Sequence, residues 1–243
     1  MITIHRVDSL QSTNTHMRQH ADAFGHGDVL VVREQTAGRG QRGNTWEAEP
    51  GRNLTFSVML RPHAIRPADA FLLSMLTARA IACTLSRILG VDVQLKWPND
   101  IYVGDRKLAG ILIENTFSGS LYDRAVLGVG LNVNQTVFIS DAPNPVSMAQ
   151  IAGREFLLDT VLEAIVADIV DAVDSFHPDV DSAALVGDYN AMLWRRDGVH
   201  LWHDNLTGED LRASIARVEP SGHLVLATIP ERRYAFKEIA AIF

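Results

Sequence analysis

Hydrophobic and polar positions mark out the elements of this chain in turn. Ile2, Ile4 and Val7 alternate with polar residues, as in a short strand. Small polar residues, Gln11-Ser12-Thr13-Asn14-Thr15, then lead into a short helical stretch, and the oxygens of Ser12, Thr13 and Asn14 suit its free N–H groups. Val29-Leu30-Val31-Val32 is an unbroken apolar run that predicts a strand buried on both faces. Leu54, Phe56, Val58 and Leu60 alternate with Thr55, Ser57 and Met59, the period of a strand with one face on a core. Residues 67–89 read as a long helix ended by Gly90. Strands at 101–103 and 108–113 flank a Gly104-Asp105 turn, and Pro98 bends the chain before them. Another strand covers 125–133, Ser147 starts a short helix, and amphipathic helices follow at 157–176 and 181–193. At Trp194 the character changes. Only short strand patterns remain, at 200–203, 211–218, 224–229 and from Tyr234 onward, which predicts a small barrel-like appendage. The expected division is therefore 1–193 and 194–243.

Composition refines this picture. At 243 residues, with 47% hydrophobic and 21% charged, the chain has ample material for a soluble core. No apolar run suggests a membrane span, and the first residues do not form a signal peptide. The single cysteine, Cys83, excludes an internal disulfide and a multi-cysteine zinc site; it reads as a small buried thiol inside its helix. A cytoplasmic location is expected. The net charge of -7 argues against general nucleic-acid affinity.

Against that acidic background, Gly38-Arg39-Gly40-Gln41-Arg42-Gly43 sets three glycines and two arginines in six positions. Glycine admits a ligand close to the main chain, and arginine presents a charged fork to phosphate or carboxylate. The segment fits G-x-G-x-x-G formally, but a strand follows it and no acidic residue stands at the dinucleotide spacing. Asn44-Thr45 replaces the Lys-Ser/Thr that a P-loop needs. An anion-holding loop between two strands remains.

A second polar set lies on buried-looking strands: Lys96, Asn99, Asp100 and Lys107. A lysine heading Leu108-Ala109-Gly110-Ile111-Leu112-Ile113 is costly to desolvate without an anionic partner. Gly110 marks a bulge or a place where a ligand presses on the backbone. Gly128 and Gly130 share one strand face, with Asn132 next on it, so a flat object has room there. The loop 135–146 is a candidate lid. His200 and His203 match no zinc spacing and read as surface strand residues.

Ser12-Thr13-Asn14, the Gln35-to-Trp46 loop, Lys96-Trp97-Pro98-Asn99-Asp100, Arg106-to-Ile111 and Gly128-x-Gly130-x-Asn132 occur in the order and spacing of one family across residues 9 to 134. The chain resembles the biotin protein ligases, in the monofunctional form without a DNA-binding domain. That resemblance implies an α+β fold of the class II aminoacyl-tRNA synthetase and biotin ligase type: a mixed, mostly antiparallel sheet packed against helices, with a C-terminal SH3-like β-barrel. It implies that biotin's carboxylate is joined to the α-phosphate of ATP, with Mg²⁺, and that a lysine of biotin carboxyl carrier protein, of acetyl-CoA carboxylase or a related carboxylase, attacks the biotinyl-5′-AMP. No tightly bound prosthetic group, resident metal ligand, DNA or membrane partner is expected, and a homodimer is among the allowed assemblies. By matching position, Lys107 and Arg39 are the catalytic candidates. Ser12, Thr13, Asn14, Gln35, Gly38, Arg39, Gly40, Gln41, Lys107, Gly110, Ile111 and Gly128 are expected at biotin. Arg39, Arg42, Trp46, Lys96, Asn99, Asp100, Gly130 and Asn132 are expected at the nucleotide. The chain departs from the family's G-R-G-R-R-G form at Gln41. The nearest rivals are a lipoate–protein ligase, whose Arg-Arg-x-x-Gly-Gly-Gly type loop this chain lacks, an octanoyl transferase, which would call for a cysteine nucleophile, and a non-catalytic biotin-sensing protein.

Overall fold

The computed structural model describes residues 2–38, 40, 46–139 and 144–243. Seven strands form the main sheet: β1 (Ile4–Leu10), β2 (Val29–Gln35), β3 (Leu54–Leu60), β4 (Gln94–Lys96), β5 (Asp100–Val103), β6 (Arg106–Ser118) and β7 (Leu121–Leu131). Their spatial order is β1-β2-β3-β7-β6-β5-β4. All neighbours are antiparallel except β1 and β2, which run parallel through the crossover helix α1 (Thr13–Gln19). The expected turn at 104–105 joins β5 to β6, with Gly104 at φ 56°, a left-handed conformation that glycine adopts without strain.

Two groups of helices cover the sheet. α2 (Phe71–Leu89), α4 (Leu158–Asp174) and α5 (Pro178–Ala191) pack together on the face formed by Phe56, Val58, Leu127 and Val129. α1 lies on the other face, where Met17 and Phe24 enclose Leu30, Met59 and Val126. Both faces of β3 are therefore buried along its whole length, where its alternation predicted one face on a core. Its alternating polar residues face α1 and the site instead of water.

α2 begins at Phe71, after a separate 3-10 turn at Pro67–Asp69, and ends at Gly90 with φ 68°. By length and composition it is apolar enough to cross a membrane, but 61% of that stretch is buried inside the protein. Cys83 is exposed, which corrects its reading as a buried thiol. Its neighbours Ile81, Ala82, Thr84 and Leu85 take the inward positions, and Cys83 falls on the strip left between them. Ser147 caps α3 (Met148–Ala152) through a capping box with Gln150.

The C-terminal strands form two three-stranded sheets and not a closed barrel. One contains β13 (Ile239–Ala241), β8 (His200–Asp204) and β9 (Glu209–Ala213); the other contains β10 (Ile215–Val218), β11 (Leu224–Leu226) and β12 (Arg232–Tyr234). The expected single strand at 211–218 is split at Ser214 between the two sheets. Leu95 and Leu193 form a parallel bridge, so the main sheet leads directly into this region. There, Trp97 Nε1 donates to Gly222 O at 2.9 Å, and a Cβ at Gly222 would stand 2.9 Å from Phe71. His203 Nδ1 lies 2.7 Å from Asp210 Oδ1, and His200 Nε2 lies 2.8 Å from Asp197 O.

Candidate active site

On the face of the main sheet shared with α1, a cavity of about 1090 Å³ runs from α1 to the C-terminal strands. Its floor follows from register. β7 pairs with β3 at Ser57↔Gly128 and Thr55↔Gly130, and with β6 at Gly110↔Gly130 and Leu112↔Gly128. The three glycines leave a trough with no side chains of its own, and two neighbours fill it. A methyl group at Gly128 would overlap the Asn14 amide, and one at Gly130 would overlap the Trp46 indole. At Gly110 it would stand 3.2 Å from the same indole. The flat object expected against these glycines is thus, in the first instance, the protein's own Trp46.

At the α1 end most polar groups bond to one another or to the backbone. Ser12 caps α1 by accepting from Thr15 N, at 3.4 Å. Gln35 Oε1 accepts from Thr13 N at 2.9 Å. Asn14 Nδ2 donates to Leu112 O at 3.1 Å and Glu114 Oε2 at 3.2 Å, and Asn14 Oδ1 accepts from Ser57 Oγ at 2.6 Å. Ser57 Oγ also lies 2.8 Å from Thr13 Oγ1. Arg18 completes the chain by donating to Glu114 Oε1 at 3.0 Å. Ser57 was not singled out from the sequence. Its signal was the polar alternation of Thr55 and Ser57 in a strand that has no solvent face.

Gly38 closes the stem of the glycine–arginine loop. Trp46 N donates to Gly38 O at 3.2 Å, and a Cβ on Gly38 would overlap the Trp46 carbonyl. Gly40 lines the cavity. Arg39, Gln41 and Arg42 lie outside the described residues, so the roles expected of them have no geometry here.

The middle of the cavity belongs to Lys107. Its Nζ lies 2.7 Å from Asp100 Oδ1 and 5.6 Å from the centre of the Trp46 ring. Asp100 is the anionic partner that the burial of Lys107 requires. The backbone of Lys107 is held as well: Lys107 N donates to Asn144 O at 2.8 Å, and Val146 N donates to Lys107 O at 2.9 Å. Asn132 secures this strap, its Nδ2 donating to Val146 O at 3.2 Å and to Lys107 O at 3.5 Å. Asn99 braces the turn against β6 through Ile111, with Nδ2 to Ile111 O at 2.8 Å and Ile111 N to Asn99 O at 2.9 Å. Ile111 itself is 4% exposed and packs into the core.

Beyond Asp100, Lys96 Nζ stands 3.9 Å from Asp100 Oδ2 and 5.0 Å from the Tyr102 ring, with Trp194 and Phe243 at 5.7 and 5.8 Å. Burial lowers its pKa, and Asp100 opposes that shift only in part. Burial likewise raises the pKa of the Tyr102 phenol. Three buried polar atoms on the cavity have no hydrogen-bond partner among the described residues: Trp46 Nε1, Tyr102 Oη and Asn132 Oδ1. Tyr102 was also missed from the sequence, although it shares the face of Asp100 two residues away.

The arrangement joins a neutral hydrogen-bonding box at one end to a lysine-rich groove at the other. Such a groove suits a ligand with a polar head and an anionic tail. Comparison with known proteins gives the same direction. Residues 6–132 match the Biotin/lipoate A/B protein ligase family. Over 124 residues the chain is 37% identical to the bifunctional ligase/repressor BirA of Escherichia coli, covering 51% of this chain and 38% of that protein. It is 36% identical over 124 residues to the biotin–[acetyl-CoA-carboxylase] ligase of Paracoccus denitrificans, covering 50% and 51% of the two chains. These matches span about half or less of the relatives' own lengths. The biotin protein ligase of Aquifex aeolicus, solved in complex with biotin and ATP, superposes with a TM-score of 0.81 at 20% identity, covering 98% of this chain and 97% of that one.

Proposed function

The chain belongs to the biotin/lipoate A/B protein ligase family, and from that premise we propose that it activates biotin with ATP and transfers the biotinyl group to a lysine of a carboxylase's biotin carboxyl carrier protein. The observation that carries this reading is one continuous cavity holding both the Thr13–Gln35 box and the Lys107–Asp100 pair. Ser12, Thr13 and Gln35 take the polar head of biotin, with Gly128 and the main chain of Ile111 along its floor. Asn14, whose donors and acceptor are already engaged, supports that head from behind.

In the first half-reaction a carboxylate oxygen attacks the α-phosphorus. Both partners are anions, so the barrier is electrostatic, and a fixed ammonium between them lowers it. Lys107 serves there, exchanging Asp100 for the substrate oxygens. By matching position, Arg39, Gly40 and Gln41 are assigned to carboxylate and phosphate, and Arg42, Trp46, Lys96, Asn99, Gly130 and Asn132 to the nucleotide. ATP enters as its Mg²⁺ complex. Asp100, beside Lys107, would be available to that ion and would help it neutralise the phosphates. We place residues 1–193 as the ligase unit and 194–243 as its appendage. A cytoplasmic setting accords with the single cysteine.

The test is transfer of labelled biotin to a carrier domain with ATP. Transfer of lipoate or octanoate with none of biotin overturns the assignment.

A further inference from the structure

The cavity continues past Lys107 to a part bounded by the C-terminal strands, and its volume, about 1090 Å³, exceeds the ~300–1000 Å³ usual for a single small-ligand pocket. Three features mark this extension. Asp100 faces two lysines, Lys107 at 2.7 Å and Lys96 at 3.9 Å, and with Arg195 and Asp105 acting on the same groups one cationic charge is left in excess on the sheet side. The Tyr102 side chain is 0% exposed, yet its hydroxyl has no partner among the described residues. A buried hydroxyl without a protein partner is a donor that an anionic oxygen would satisfy. Lys237, in the turn between β12 and β13, lines the same cavity and has φ 73°. A left-handed backbone is costly for a lysine and free for glycine. Here Asn205 fixes it, donating from Nδ2 to Lys237 O at 2.7 Å and from its backbone N to Glu238 O at 2.8 Å. The adjacent Phe236 meets Trp97 edge-on at 6.3 Å, which keeps this turn beside the segment carrying Lys96 and Asp100.

We propose that Tyr102, Lys96 and Lys237 form the seat of the nucleotide's terminal phosphates, with Lys237 contacting the departing pyrophosphate from the C-terminal side. The inference rests on the biotin-activation reading. As the biotin carboxylate oxygen bonds to the α-phosphorus, the bond from that phosphorus to the bridging oxygen breaks, and its electron pair leaves with pyrophosphate. No proton is required. Charge grows on the leaving group, and an ammonium and a phenol directed at it lower the barrier. Lys237 is thereby a substrate-contacting residue supplied by a region that otherwise serves as scaffold.

Two substitutions separate this role from a structural one. Lys237→Gly relieves the backbone, and Tyr102→Phe deletes a partnerless buried hydroxyl, so neither variant should melt below the parent. Calorimetric titration of the full chain with inorganic pyrophosphate and tripolyphosphate should show about tenfold weaker binding in each, the loss of one charge-assisted hydrogen bond. Lys237→Arg should retain most of the affinity. Pyrophosphate–ATP exchange should fall in parallel. Unchanged pyrophosphate affinity in Lys237→Gly, or no measurable affinity in the parent, overturns the proposal. Lys237-dependent pyrophosphate binding without any biotin transfer would keep this seat and remove the biotin reading. Full biotin transfer with unaltered binding in both variants would do the reverse.

Discussion

The two ends of the groove are built on opposite principles. Around α1, Thr13, Asn14, Ser57 and Gln35 bond to one another and to the backbone, and a missing side chain at Gly128 makes room for Asn14. Around Lys107 the groups are charged and paired with one another, and Tyr102 Oη and Asn132 Oδ1 have no hydrogen-bond partner among the described residues. On the proposed function, one end would recognise by its hydrogen-bonded geometry, and the other would exchange charge partners when an anion arrives. A rigid box can sit beside an exchangeable charge pair because separate elements carry them: α1 and β3 for the first, β5 and β6 for the second.

The largest break in that contrast should come from Lys107→Ala. It should lower biotinyl-adenylate formation by at least about 10²–10³-fold, the scale of one lost transition-state donor, while biotin binding measured by calorimetry changes little by comparison. Near-normal pyrophosphate release from ATP and biotin would show that charge exchange at this end is not the chemistry. Next is Gly128→Ala, which forces a methyl into the Asn14 amide. It should cost ~1–3 kcal/mol of stability as overpacking and raise the KM for biotin more than it lowers kcat. Ser57→Ala leaves Asn14 Oδ1 buried without its donor. The expected penalty is ~1–3 kcal/mol in denaturant unfolding, with a severalfold weaker biotin affinity and an unchanged KM for ATP. An ATP effect equal to the biotin effect would erase the distinction between the two ends. Smallest is Asn132→Ala, which loosens the strap on the Lys107 backbone. It should reduce kcat severalfold with little loss of melting temperature, whereas a lowered melting temperature at full kcat would make Asn132 a structural post only.

Much of the frame was legible because it rests on local periodicity. The β5–β6 turn at Gly104, the end of α2 at Gly90 and the capping of α3 by Ser147 each depend on a few adjacent residues. Alternation in β3 revealed a strand but not what lies over its polar face, because α1 and Trp46 reach it from elsewhere in the chain. Cys83 was misplaced for a related reason: a helix packed against α4 and α5 still leaves an outer strip, and apolar neighbours in sequence do not show where it falls. In the site, the lysines, glycines and Thr13 stood out as chemistry in unexpected places. Ser57 and Tyr102 did not, since their meaning comes from partners brought by folding; Ser57 meets Asn14 across 43 positions.

The indole of Trp97 has one further implication. It is tied to the carbonyl of Gly222, whose turn rests on Phe71 of α2, and it sits between Lys96 and Asp100 in the chain. The C-terminal sheets therefore have mechanical purchase on the hairpin that sets the carboxylate beside Lys107. A tilt of those sheets, imposed by a bulky residue at 222 or by a docked protein, would act as a lever on the distance between Lys107 and its counter-ion. Control of the reaction rate would then lie in a turn that touches no substrate at all.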